Sequence, residues 1–202
     1  MTAFIEELQA ISAVDWLGML TGIVGVYLSI KEKILAWPIF IICYGCYVYI
    51  ALRGNYFAFA GLNLLFMGIG AYGWFAWSRK NDASKPTLSV SRLPKKFYLP
   101  LVVLVGGGTV ALAFLTDSLG EAQRPFLDGF ASCSALAAQW MLGKKYLENW
   151  FAWIIADIVW IYVFFQDKIW LSVILFSTFI ILAVKGISEW TKQLQLRNIK
   201  SA

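Results

Sequence analysis

Asp157 stands in the middle of an apolar, tryptophan-rich segment, Asn149-Trp150-Phe151-Ala152-Trp153-Ile154-Ile155-Ala156-Asp157-Ile158-Val159-Trp160. A carboxylate at mid-membrane depth is costly, so it faces a cavity, a partner or a substrate. Helical periodicity puts Asn149, Trp153, Asp157 and Trp160 on one face, at i, i+4, i+8 and i+11. Aromatic faces beside a carboxylate suit a flat cationic ring. A second stripe runs through Asn63, Met67, Gly70, Trp74 and Trp77, and Gln139 lies below Ser132 and Ala135 on a third segment. The chemistry these residues predict is recognition of a small, positively charged aromatic metabolite. Asp157 offsets its charge, Trp153 or Trp74 stacks on its ring, and Trp160 closes the pocket toward the outside. Gln139, Asn149 and Asn63 hydrogen-bond its polar groups, and Tyr44 adds a wall. Blander roles compete: Asn149 as a helix cap, Asp157 as a carboxylate hydrogen-bonded within the bundle or protonated, Met67 and Gly70 as packing, and Trp37, Trp77, Trp150 and Trp190 as an interfacial belt.

The elements that must position these residues are membrane helices. The 202-residue chain is 60% hydrophobic with a mean hydropathy of +0.68, far too apolar for a soluble domain. Apolar runs of about 17–25 residues mark transmembrane helices, and seven are read: 15–30, 34–52, 56–78, 97–116, 125–142, 149–166 and 169–188. Of the 17 Lys and Arg, only Arg53, Arg124 and Lys168 fall on the side of the N-terminus; the rest, including Lys31, Lys144, Lys145 and Lys185, fall on the other. By the positive-inside rule the N-terminus is outside and the C-terminus cytoplasmic. The net charge of +5 thus reflects topology and implies no nucleic-acid partner. Residues 1–14 carry two carboxylates and no basic residue, which fits an interfacial helix better than a cleaved signal.

An intramembrane enzyme is disfavoured because the chain has no histidine and no paired carboxylates on one helix face. No catalytic residue, metal site or cofactor is expected. Cys43, Cys46 and Cys133 all fall inside spans and read as packing residues. Gly106-Gly107-Gly108 reads as a site of close helix approach, since no Gly-Lys-Ser/Thr follows. Glu148 is placed to pair with Lys144 or Lys145.

The chain also matches itself without gaps at an offset of 113: Asp15 with Asp128, Lys31 with Lys144, Trp37 with Trp150, Tyr49 with Tyr162, Phe66 with Phe179, Gly73 with Gly186 and Trp77 with Trp190. The same offset sets Asp157 against Tyr44 and Trp153 against Phe40. Spans 1–3 and 5–7 are two copies, and the odd helix 4 gives both the same orientation, a parallel repeat about the membrane normal. The expected units are an N-terminal segment 1–14, a three-helix bundle 15–80, a linker and helix 4 over 81–124, a second bundle 125–192 and a cytoplasmic tail 193–202. Gly18, Gly22 and Gly25, with Ala131, Ala135 and Ala138, allow close approach, and rocking of the bundles would expose a midplane site to each side in turn.

Two stretches carry a resemblance. Ala71-Tyr72-Gly73-Trp74-Phe75-Ala76-Trp77-Ser78-Arg79 resembles the Tyr-Gly-Trp-x-x-Trp-Ser-Arg signature of Pnu-type bacterial vitamin transporters. Lys144-Lys145-Tyr146-Leu147-Glu148-Asn149-Trp150-Phe151-Ala152-Trp153 resembles their second, basic-basic-x-x-Glu-Asn-Trp-x-x-Trp. The resemblance covers roughly residues 15–192. It implies an all-α integral membrane protein of seven helices in a 3+1+3 parallel repeat akin to SWEET sugar transporters. It further implies a homotrimer in the bacterial inner membrane, and uptake by facilitated diffusion with trapping by cytoplasmic phosphorylation. Trp77 and Trp150 are its motif and gating positions. The best-known members carry nicotinamide riboside and relatives carry thiamine and other vitamins, so nicotinamide riboside is the first expectation and thiamine the second. Asp157 stands where a family member has Asn. A SWEET-like carrier of neutral sugars shares the repeat yet gains little from Asp157.

Overall fold

Each long apolar run forms one helix, and each helix stops where the chain reaches polar residues. The computed structural model describes residue 8, residues 11–79 and residues 88–201. Its helices are α1 (Ala13–Ile30), α2 (Ala36–Arg53), α3 (Phe57–Ser78), α4 (Tyr98–Ser118), α5 (Pro125–Gly143), α6 (Asn149–Gln166) and α7 (Trp170–Ser201). Ser12 and Asp15 form a capping box at the start of α1, satisfying amides that a helix leaves open. Pro125 opens α5, where its missing N–H is no loss. The expected helix within residues 1–14 lies largely outside the described residues, as does the first part of the 81–96 linker.

Among the described residues six helical segments are long and apolar enough to cross a membrane; α5 is not one of them. That helix is central instead: 12 of its 19 residues are buried, among them Ser132, Ser134 and Gln139. It touches protein on α3, α4 and α6, so its polar residues meet helices where the others meet lipid. α7 continues through residue 201, so the segment expected as a tail from 193 onward is helical. At 32 residues it is about 48 Å long, well beyond the roughly 30 Å hydrocarbon core.

Neighbouring helices pack in the order α1–α2–α3 and α5–α6–α7. α3 then packs on α5 and α1 on α7, closing six helices into a ring. α4 lies outside the ring against α5. Of its glycines only Gly108 meets a neighbour, with an added Cβ 2.9 Å from Cys133 Sγ; Gly106 and Gly107 face open space. The triple-glycine expectation therefore holds at one position of three.

The 113-residue repeat is written into the backbone. Glu32 and Lys145 have φ of 51° and 55°, and Asn55 and Lys168 both have 60°. Each pair is separated by the repeat offset, so the left-handed residues, uncommon outside glycine, recur at equivalent turns. The small residues follow suit: Gly18, Gly22 and Gly25 of α1 are buried, as are their mates Ala131, Ala135 and Ala138 of α5.

The end with few basic residues is tied by charge. Glu121 accepts hydrogen bonds from the amides of Phe57 (2.9 Å) and Ala58 (2.8 Å), capping α3 from outside its own sequence. Arg124 pairs with Asp167 at 2.7 Å. Glu121→Ala is expected to destabilise the protein by about 1–2 kcal/mol, the loss typical of an N-cap, read as a lower melting temperature in detergent.

Candidate functional site

The interior of the ring combines an aromatic column with partnerless polar groups. On α2, Phe40 stacks on Tyr44 (centroids 6.0 Å apart, planes at 15°). Tyr44 stacks on Phe66 of α3 (5.1 Å, 20°). Phe66 then stacks across the bundle boundary on Trp153 of α6 (6.4 Å, 21°). The column therefore begins in the first bundle and ends in the second. Near-parallel rings at this spacing form a surface on which another flat ring can stack.

Asp157 lies one helical turn beyond Trp153 and is only 2% exposed. Among the described residues no salt bridge reaches it. Gln139 of α5 is fully buried, and neither its amide nitrogen nor its oxygen has a partner. Asn149 is also fully buried. Its Nδ2 donates to the Tyr146 carbonyl at 2.6 Å, while its Oδ1 has no partner. The capping role considered for Asn149 is not what it performs, because the N-cap of α6 is Glu148. Buried polar groups in folded proteins are nearly always bonded; Gln139 and the Asn149 Oδ1 are exceptions among the described residues, as are the indole nitrogens of Trp37 and Trp150.

The repeat explains why these groups are special. The mates of Gln139, Asn149 and Asp157 at the 113 offset are Val26, Ala36 and Tyr44. Fold symmetry alone would have been satisfied by apolar residues. The first bundle keeps them and adds most of the aromatic wall, while the second carries the polar groups.

The other expected site residues divide. Asn63 is buried, with Nδ2 donating to the Phe59 carbonyl at 2.9 Å. Trp160 lies in a separate stack with Phe164 (5.6 Å) and Phe176 (6.1 Å). Trp74 is 44% exposed. Of its stripe, Asn63 and Gly70 are buried and Met67 and Trp77 partly buried against the core; the other buried positions of α3 are Ala60, Leu62, Phe66 and Gly73. Phe66, missed as a wall residue, was visible in the sequence only as a repeat marker.

The belt reading of the tryptophans is overturned. Trp37 and Trp190 are fully buried and Trp150 is 1% exposed. Trp37 meets Trp77 edge-on at 5.3 Å and Trp150 meets Trp190 at 5.3 Å, the same contact in each repeat. Glu148 does not pair with either neighbouring lysine. It accepts from the Leu93 amide at 2.7 Å and faces Arg92 at 3.5 Å, while Lys145 pairs with Glu32 at 2.6 Å.

Two repeated helix bundles with aromatic and polar side chains buried between them are the architecture of a membrane solute carrier. A profile of the nicotinamide mononucleotide transporter family matches residues 12–192, and the chain belongs to that family. It is 24% identical over 190 residues to the riboflavin/roseoflavin transporter RibM of Streptomyces davaonensis, covering 93% of this chain and 89% of that protein. It is likewise 24% identical over 215 residues to the nicotinamide riboside transporter PnuC of Escherichia coli, covering 95% and 90%. The crystal structure of the vitamin B3 transporter PnuC shares the fold, with a TM-score of 0.73 at 22% identity over 96% of this chain and 86% of that one. The chain is thus a multi-pass membrane transporter and not an enzyme.

Proposed function

We propose that this chain takes up a small, flat, cationic vitamin, nicotinamide riboside first, by facilitated diffusion across the bacterial inner membrane, with its N-terminus outside. The observation that carries this reading is Asp157, an acidic residue that is buried, has no salt-bridge partner among the described residues, and lies one turn from a stacking tryptophan. The pyridinium ring lies against Trp153 and the Tyr44–Phe66 column. Asp157 offsets its charge, and Gln139 and Asn149 bond its carboxamide or ribose. A phosphorylated form would bring its own negative charge toward Asp157, so it binds poorly, and phosphorylation on the cytoplasmic side traps the vitamin. Trp77 and Trp150 serve the gate, and the family resemblance supports a homotrimer.

Riboflavin is the second reading, because the riboflavin/roseoflavin relative matches this chain as well as the nicotinamide riboside carrier does. Its uncharged ring would use the same aromatic column but gain no charge pairing. Thiamine carries a thiazolium and would use Asp157 as nicotinamide riboside does. Calorimetry on the detergent-purified protein separates the three. Saturable binding of nicotinamide riboside, with none of the other two, is the expected result. Binding of riboflavin alone would replace the substrate, and binding of none would return the site to neutral sugars.

A further inference from the structure

The bundles are joined at one end by contacts that obey the repeat. Trp77 of α3 donates its indole N–H to the Gly143 carbonyl of α5 at 3.2 Å. Trp190 of α7 donates to the Ile30 carbonyl of α1, also at 3.2 Å. Both donor and acceptor shift by 113 residues between the two bonds, so each is the image of the other. The acceptors are last-turn carbonyls, which a helix leaves open and partly negative. Between them lies the Glu32–Lys145 pair, at 2.6 Å with side chains 21% and 12% exposed. Glu32 and Lys145 are themselves repeat mates. A position that touches its own image lies on the pseudo-twofold axis, at the centre of the closure. Lys145 Nζ also sits 4.5 Å from the centroid of the Trp77 ring, linking the axial pair to one of the flanking bonds.

Alternating access requires two bundles that meet at one end to part there later in the cycle. Every polar contact that crosses between them at that end must then break, the more exposed Lys31–Glu189 pair at 3.6 Å included. We propose that Trp190, Glu32 and Lys145 join the motif residue Trp77 as gating residues of the transport cycle, a single latch that seals the face bearing Lys144 and Lys145 and opens as a unit. Trp37 and Trp150 back the two latch indoles without crossing between bundles. The inference rests on the transporter class and not on which vitamin is carried. Gln139 lies one turn inside Gly143, directly behind the latch.

The test uses the full chain with Cys43, Cys46 and Cys133 replaced and one reporter, Gln139→Cys, in right-side-out and inside-out membrane vesicles. The readout is its modification rate by a membrane-impermeant methanethiosulfonate, with no vitamin present. Glu32→Gln removes a charge-assisted bond, so modification from the Lys145-bearing face rises on the order of tenfold, and from the opposite face it falls. Trp190→Phe, which keeps a ring and loses the N–H, shifts the rates in the same direction. The exchange Glu32→Lys with Lys145→Glu returns them to the parental values, because the pseudo-twofold sets residue 32 against Trp190 as it sets Lys145 against Trp77. Unchanged rates in Glu32→Gln overturn the latch. So does an equal rise from both faces, which is general loosening, or an exchange variant that stays as fast as Glu32→Gln. Because no vitamin enters the assay, these outcomes stand whether or not the substrate assignment survives.

Discussion

Asp157→Ala is expected to reduce saturable nicotinamide riboside uptake by about 100-fold or more, with no loss of stability. The two halves of that result come from one fact. Asp157 is buried, and among the described residues no salt bridge reaches it, so the empty carrier bears the cost of desolvating it. Such a buried carboxyl escapes that cost by taking a proton, so removing it takes no ion pair from the protein. When a cationic ring enters, the carboxylate becomes one member of a buried pair, and deleting one member of such a pair costs about 3–5 kcal/mol. At roughly tenfold per 1.4 kcal/mol, that exceeds 100-fold in affinity. Initial-rate uptake in proteoliposomes and melting temperature in detergent measure the two halves separately. A structural carboxylate would give the reverse, a lower melting temperature with affinity kept in whatever protein survived. Asp157→Asn refines the result, since it keeps shape and hydrogen bonding while removing charge. If Asp157→Asn transports as the parent does, the ring that binds is not cationic and the riboflavin reading gains.

The helices were legible because hydropathy marks where the chain enters and leaves lipid. Expected ends at 30, 78 and 166 coincide with those of α1, α3 and α6. The end of α7 was not legible, because its backbone bonding continues in water after the apolar run stops at 188. The repeat was legible as identities, and the turn geometry at Glu32, Asn55, Lys145 and Lys168 bears it out. Its consequence was hidden. A tryptophan at a helix end has the same composition whether it anchors in lipid or reaches across to the neighbouring bundle, and only the partner distinguishes Trp190 on the Ile30 carbonyl from a belt residue. Asp157 and Gln139 could be found because a polar residue among apolar ones is conspicuous. Trp74 stands on the exposed side of α3. Size made it look like a wall, whereas the face that turns inward is defined by glycines shaped to admit another helix's ring.

Those glycines carry the second large effect: Gly73→Ala and Gly186→Ala are each expected to destabilise the protein by about 1–3 kcal/mol, the usual range for overpacking. A Cβ on Gly73 would lie 2.3 Å from the Trp37 ring, and one on Gly186 would lie 2.4 Å from the Trp150 ring. Neither ring has room to yield. Trp37 is buried between Trp77 and Phe40, and Trp150 is held edge-on by Trp190. Helices in lipid associate by close packing of such small residues, so a single methyl group pushes α3 from α2, or α7 from α6. Gly106→Ala is the control. An added Cβ there meets nothing, and alanine favours a helix over glycine, so that variant melts at or above the parent. The steric cause makes a further demand. Trp37→Phe, by shrinking the ring, restores part of the stability lost in Gly73→Ala and none of that lost in Gly186→Ala, whose ring is Trp150. Equal rescue of both by Trp37→Phe would mean that the two substitutions act through general weakening of the helices and not through these two contacts.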